Sequence, residues 1–145
     1  MTGIVVGIDG SGHSVCALEW AAREAALRQV PLAVIAVHQP VVGYLGSVVI
    51  QSDDDALSEQ VRKAAREQTD GVLDRLGTDA PPQVTVNAVS GSPVEELLRA
   101  AEDADLLVVG SRGAGGFARL VMGSVSSQLP HHAHCPVVVI PARGE

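Results

Sequence analysis

Five short strand-like runs punctuate this chain: GIVVGID (3–9), LAVIAVH (32–38), LLVV (106–109) and PVVVI (136–140), which are mostly apolar, and QVTVNAV (83–89), which alternates with Val84, Val86 and Ala88 on one face. Between them the apolar spacing changes to that of helices. Val15, Leu18, Ala22, Ala25 and Ala26 recur on one helical face to about Arg28, ahead of Pro31. Leu57, Val61, Ala64, Ala65, Val72 and Leu76 form a second stripe, opening near Ser52-Asp53-Asp54-Asp55 and closing at Gly77, a plausible helix stop. Ser92-Pro93-Val94-Glu95 reads as a capping box with proline at the first helical position, followed by Val94, Leu97, Leu98 and Ala101. A short helix is expected from about Ser124 to Ala133, and residues 39–53, which include Tyr44, read as a long connection. Strands alternating with helices in this way predict an α/β fold, a doubly wound open five-stranded parallel sheet with right-handed crossovers and four helices. Hydrophobic residues are 46% of the chain but aromatic ones only 2%, so Val, Ala, Leu and Ile must fill the core. That composition suits strands buried on both faces.

The bulk properties remove several classes of function. At 145 residues the chain is expected to form one domain, residues 1–145. The net charge of −7 and the absence of any basic cluster larger than Arg62-Lys63 argue against a nucleic-acid surface. No apolar run approaches a membrane span, and the start, Met1-Thr2-Gly3-Ile4, has no basic segment of a secretory signal. Cys16 and Cys135 show no CxxC spacing. A cytoplasmic protein with two reduced thiols is the expectation.

The chemistry concentrates in residues 105–127, DLLVVGSRGAGGFARLVMGSVSS. Here an apolar strand breaks at Gly110 into a loop with further glycines at 113, 115, 116 and 123, and helical spacing resumes near Ser124, Ser126 and Ser127. Glycines let backbone approach a ligand closely, and the unpaired N–H groups of a helix start attract an anion. The combination reads as a phosphate cradle, with an exposed surface loop as the plain alternative. It is not a Walker loop, because the chain's one lysine, Lys63, is far from any glycine loop. Nor does a GxGxxG motif follow the first strand. The spacing that is present is Gly110, two residues, Gly113, nine residues, then Gly123-Ser124.

That spacing resembles the nucleotide-binding universal stress proteins, and the likeness extends over nearly the whole chain. GIDGS resembles the family's first strand and turn, GSPVEELLRAAEDADLLVVGSRG its third helix and fourth strand, and HAHCPVVVI its ending. The resemblance implies a Rossmann-like sheet of order 3-2-1-4-5, with the ends of the first and fourth strands side by side at the switch point where open α/β sheets bind ligands. It also implies roles. Asp9 would take the ribose hydroxyls, and backbone at Val37 or His38 would read the adenine edge. Gly110 and Gly113 would approach ribose and phosphates, and Gly123, Ser124, Val125 and Ser126 would hold the phosphates. The ligand implied is ATP or another adenine nucleotide, with Mg bound only through the phosphates. A homodimer through strand 137–140 is the expected assembly, and stress response or regulation the expected role.

Each residue also has a plainer use. Asp9 could simply cap the first helix. Arg112, beside a motif glycine, is placed to neutralise phosphate, whereas Arg119 could equally lie on a solvated face. Asp53, Asp54 and Asp55 point in different directions from a helix start and make a poor metal site. His131, His132, His134 and Cys135 crowd one helix end without a second cluster, so a structural role is expected rather than zinc. No base suited to phosphoryl transfer stands out, so little or slow hydrolysis is expected. Two other functions stay open. Gly10-Ser11-Gly12-His13-Ser14 faintly resembles the loop of adenylyl-transferring or pyrophosphatase-type enzymes, though it lacks their Asp and their HxGH signature. A member of the family acting only through protein contacts is the other.

Overall fold

The computed structural model describes residues 3–10, 12–38, 42–45, 48–51, 54–111 and 126–141. In chain order the elements are β1 (Ile4–Ile8), α1 (Gly12–Arg28), β2 (Leu32–His38), β3 (Val42–Leu45), β4 (Val48–Gln51) and α2 (Asp54–Leu76). After a 3-10 turn at Gly77–Asp79 come β5 (Val84–Ser90), α3 (Pro93–Ala100), β6 (Leu106–Gly110), α4 (Ser126–His132) and β7 (Val137–Ile140). The main sheet runs β5-β2-β1-β6-β7 with every neighbouring pair parallel. Counting only its own five strands, this is the order 3-2-1-4-5. The expected doubly wound α/β architecture, with four α-helices among the described residues, is the observed one.

Alternation along each strand explains the two layers of core. Ile4, Val6, Ile8, Leu32, Val34, Ala36, Leu106 and Val108 pack on one face against Ala17, Leu18, Ala21 and Ala25 of α1 and Ala65, Val72 and Leu76 of α2. Val5, Ile35, Val37, Leu107 and Val109 pack on the other against Leu97 of α3, Ala101 and Leu129 of α4. Ala17, Ala21, Ala22 and Ala25 of α1 are fully buried, so a row of small side chains lets that helix lie close upon β1. Gly7 does the same on the opposite face, where a Cβ would stand 2.8 and 2.9 Å from the two terminal methyls of Leu97.

One local expectation is met with added detail, and two need amendment. Helix α1 ends at Arg28, as expected, with Gln29 at φ 58° and the Val30 N–H bonded to the Ala25 carbonyl at 3.0 Å. That is a Schellman-type stop with a non-glycine residue in the left-handed position. The capping box at Ser92 is not formed: Ser92 makes no side-chain cap bond. Pro93, with its fixed φ, and Glu95 and Glu96 facing the positive helix end mark the start instead. The long connection after β2 contains an antiparallel ribbon, β3 with β4, pairing Val42 with Gln51 and Leu45 with Val48. Its strands of four residues are too short for a periodicity argument. Gly77, at φ 59°, does end α2 as expected.

Candidate functional site

Parallel strands bring their carboxyl ends to one edge of the sheet. Ile8 pairs with Ala36 in β2, so Asp9 and Gly10 leave β1 level with Val37 and His38. On the other flank of β1, Ile4, Val5 and Val6 pair with Leu106, Leu107 and Val108. The same offset sets Gly110, the last residue of β6, beside Ile8. Gly10 takes φ 86°, which suits glycine and turns the chain sharply from β1 toward α1.

A cavity of about 300 Å³ opens at this edge, lined by Asp9, Gly10, Ala36, Val37, His38, Val61, Ala64 and Ala65. Most of the lining residues are aliphatic, and Asp9 and His38 are the ones with polar side chains. A small cleft with an apolar wall and a few convergent polar groups suits a flat ring carrying hydroxyl substituents. Helix α2 closes one side and is tied at two points. Gln68 Nε2 donates to the Gly10 carbonyl at 3.1 Å, and Ser58 Oγ meets His38 Nε2 at 2.8 Å. The bonds are ten residues apart on α2, so the helix spans from the β1 turn to the end of β2. The other ring nitrogen of His38, Nδ1, is buried and has no hydrogen-bond partner among the described residues.

The backbone at the end of β2 divides in direction. The His38 carbonyl accepts from Gly91 N–H at 2.9 Å, so it faces β5. Successive strand residues turn their backbone groups to opposite neighbours. The Val37 carbonyl therefore faces the β1 side, beyond the last paired residue of that strand.

Of the residues singled out in the sequence, Asp9, Val37 and His38 come together at the cavity, and Gly110 lies at the same edge across β1. Ser126 is the first residue of α4. Arg112, Gly113, Gly123, Ser124 and Val125 lie outside the described residues, as do Arg119 and Asp53. The lining from α2, Val61, Ala64 and Ala65, was read only as core stripe. In fact Ala65 is buried, Val61 is half-buried and Ala64 is exposed. Apolar periodicity alone cannot separate a residue that meets the sheet from one that meets a cavity beside it. Ser58 was not singled out at all, since a lone serine on a helix carries no pattern.

Cys135 lies elsewhere, at the entrance to β7. Burial pushes its thiol above the ordinary value, and the nearby Asp105 carboxylate pushes it further, against a smaller opposing effect of a backbone bond at Leu107. No group of three His, Cys, Asp or Glu side chains among the described residues is arranged to hold a metal ion. Nor is any described helix long and apolar enough to cross a membrane.

The fold and this cavity define a doubly wound α/β protein with a cleft at the carboxyl ends of its first two strands. A sequence profile of the Universal stress protein family matches residues 1–141. A universal stress protein of Mycobacterium tuberculosis is 38% identical over 143 residues, covering 95% of this chain and 47% of the relative. One from Mycolicibacterium smegmatis is 35% identical over 144 residues, again 95% and 47%. The chain belongs to the universal stress protein family, and it spans about half the length of these relatives. Among solved structures, UspA of Lactobacillus plantarum superposes with a TM-score of 0.68 at 26% identity, covering 96% of this chain and 97% of that one. A universal stress protein in complex with cAMP gives 0.67 at 23%, covering 97% of both chains. One from Archaeoglobus fulgidus in complex with dAMP gives 0.60 at 24%, with 97% and 98% covered.

Proposed function

We propose that this chain binds an adenine nucleotide, ATP foremost, and acts in the cytoplasm as a dimeric stress-response regulator rather than as a fast enzyme. The observation that carries the reading is the cavity into which β1 and β2 deliver Asp9, Val37 and His38. Its aliphatic wall suits a purine ring, and Asp9 is an acceptor suited to ribose hydroxyls. The His38 carbonyl is engaged by Gly91, which favours Val37 over His38 as the backbone that reads the base edge. The complexes of two structural neighbours with cAMP and dAMP support an adenine ligand. The phosphates fall to Gly110, Arg112, Gly113, Gly123, Ser124, Val125 and Ser126, by the glycine spacing and the helix start. Asp9 is the only carboxylate in the described cavity wall, so Mg would be carried by the phosphates rather than by a protein cage.

Acid extraction of the purified protein followed by chromatography tests the reading. The expected result is an adenine nucleotide in near-stoichiometric amount, or micromolar binding of ATP by stripped protein. Protein that releases no nucleotide and takes up neither ATP, ADP nor AMP would overturn it. Hydrolysis is expected to run well below the ordinary enzyme range of ~1 per second, because the chain lacks a Walker lysine and an evident base. A steady-state phosphate-release assay checks that rate.

A further inference from the structure

The α2 residues that line the cavity, Val61, Ala64 and Ala65, stand at i, i+3 and i+4, and the next place on that helical face, i+7, is Gln68. An apolar stripe thus ends in an amide, and the amide has a definite partner. Gln68 Nε2 donates to the Gly10 carbonyl at 3.1 Å, joining residues 58 apart in the chain. That partner also fixes which end of the amide is nitrogen, because a carbonyl only accepts. The bond ties α2 to the turn that leaves β1, and Asp9 and Gly10 of that turn line the same cavity. Gly10 takes φ 86°, and a Cβ built upon it would meet no atom within 4 Å among the described residues. Packing on that side does not hold the turn. Glycine has wide backbone freedom, so a hydrogen bond to its carbonyl sets the local course of the chain.

We propose that Gln68 is a positioning residue of the cleft: by holding the Gly10 carbonyl it fixes the β1 turn against α2 and so sets the Asp9 carboxylate for the ribose hydroxyls of a nucleotide. This rests on the nucleotide reading above and adds to it a residue that acts only through Asp9. A carboxylate gains a strong hydrogen bond from a hydroxyl only at the right distance and angle. A turn free to take other backbone angles holds Asp9 in place for a fraction of the time, and the apparent affinity falls by that fraction. The Gln68 bond removes this cost before the ligand arrives. Its effect is therefore confined to ligands that carry the hydroxyls.

Titration calorimetry of nucleotide-stripped protein with ATP and with 2′,3′-dideoxy-ATP tests this, since the second ligand lacks only the two hydroxyls. The unmodified protein is expected to prefer ATP. Gln68→Met keeps the length of the side chain but cannot donate. It should weaken ATP by about threefold to tenfold, the worth of one neutral hydrogen bond, and leave dideoxy-ATP nearly unchanged. Gln68→Lys restores a donor and should recover much of the preference. Gln68→Glu, equal in size and also without a donor, takes the place of Gln68→Met should that variant not fold. Adding Gln68→Met to Asp9→Ala should cost ATP binding nothing further, because the two residues act as one unit. A glutamine that only steadied α2 would change the melting temperature without moving the ratio of ATP to dideoxy-ATP affinity. An unmoved ratio in the folded variant, or full additivity with Asp9→Ala, would overturn the role of Gln68 while leaving nucleotide binding intact. Unmodified protein that binds the two ligands equally would overturn the ribose role of Asp9 along with it. Unmodified protein that binds neither would overturn the nucleotide reading itself.

Discussion

Cys135 shows how a residue's surroundings set its chemistry. Its thiol is raised first by burial and then by the Asp105 carboxylate, and Asp105 is itself held in place by the Gly3 N–H at 3.1 Å. The thiolate is the reactive form, so a raised thiol reacts slowly. In a Cys16→Ser background, iodoacetamide at pH 8 is expected to modify Cys135 more slowly in the folded protein than in urea, and the folded rate should climb only at higher pH. The linkage has a definite sign. A folded value above the unfolded one leaves stability untouched below the ordinary thiol range and erodes it as pH rises through that range toward the folded value. Denaturant melts of the Cys16→Ser protein at pH 7 and pH 10, against the same chain with Cys135→Ala added, would show a smaller loss at pH 10 in the variant. At the proposed nucleotide site the ranking follows from what each change removes. Gly123→Asp adds bulk and negative charge to the phosphate loop and is expected to cost most. Asp9→Ala removes a charged acceptor, at about 1–3 kcal/mol. Ser124→Ala should cost less, because backbone donors and the helix dipole supply much of the phosphate binding. Titration with ATP on folded variants gives the order. Unchanged affinity in Gly123→Asp would mean that the loop is not the phosphate site.

Between elements, contact distance decides what the sheet tolerates. Gly7 stands mid-strand in β1 beneath Leu97, which is only 4% exposed. An added methyl would fall 2.8 Å from a Leu97 terminal carbon, so α3 must lift or the leucine must leave its place. Gly7→Ala is expected to destabilise by about 1–3 kcal/mol, the usual range for overpacking. The loss should be relieved in part when Leu97→Ala makes room, so the double variant should be more stable than the sum of the two. Urea melts of the four proteins measure this. The same elements show how far the sequence can be read. The five strand runs and the α1 and α2 stripes are legible because each repeats one choice several times: apolar on both strand faces or on alternate residues, or apolar every third or fourth residue. Asp9, Val37 and His38 were legible because they sit at ends of such runs, where a resemblance could be aligned residue by residue. What escaped depends on a single contact. The clash under Leu97, the left-handed Gln29 and the Ser58–His38 bond each join residues whose pairing no periodicity reveals. The β3–β4 ribbon escaped for another reason, since four-residue strands carry too little pattern to stand out.

For the whole molecule, the open question is the margin of the sheet. Strand β7 lies at one end of the order β5-β2-β1-β6-β7, pairing with β6 on its inner side. It is all apolar, Val137 to Ile140, and Val139 is 38% exposed. An apolar edge strand with no charge of its own invites another strand, even between the flanking Pro136 and Pro141. The expected partner is β7 of a second copy, antiparallel across a two-fold axis, because a self-complementary interface closes the edge and stops further growth. The choice of variant matters. Val138 and Ile140 pack against the α1–α2 side of the core, so a lysine at Val138 would disturb the fold as well as the edge. Val139 is the cleaner position, since its side chain is the exposed one. Light scattering at micromolar concentration is expected to give a dimer mass for the unmodified chain and a monomer mass for Val139→Lys. The variant should keep the parental circular dichroism spectrum and bind ATP with similar affinity, because the cavity lies two strands away, at β1 and β2. A soluble monomer of the unmodified chain would sink the edge-strand dimer. A Val139→Lys protein that remains dimeric would move the interface to another face of the molecule.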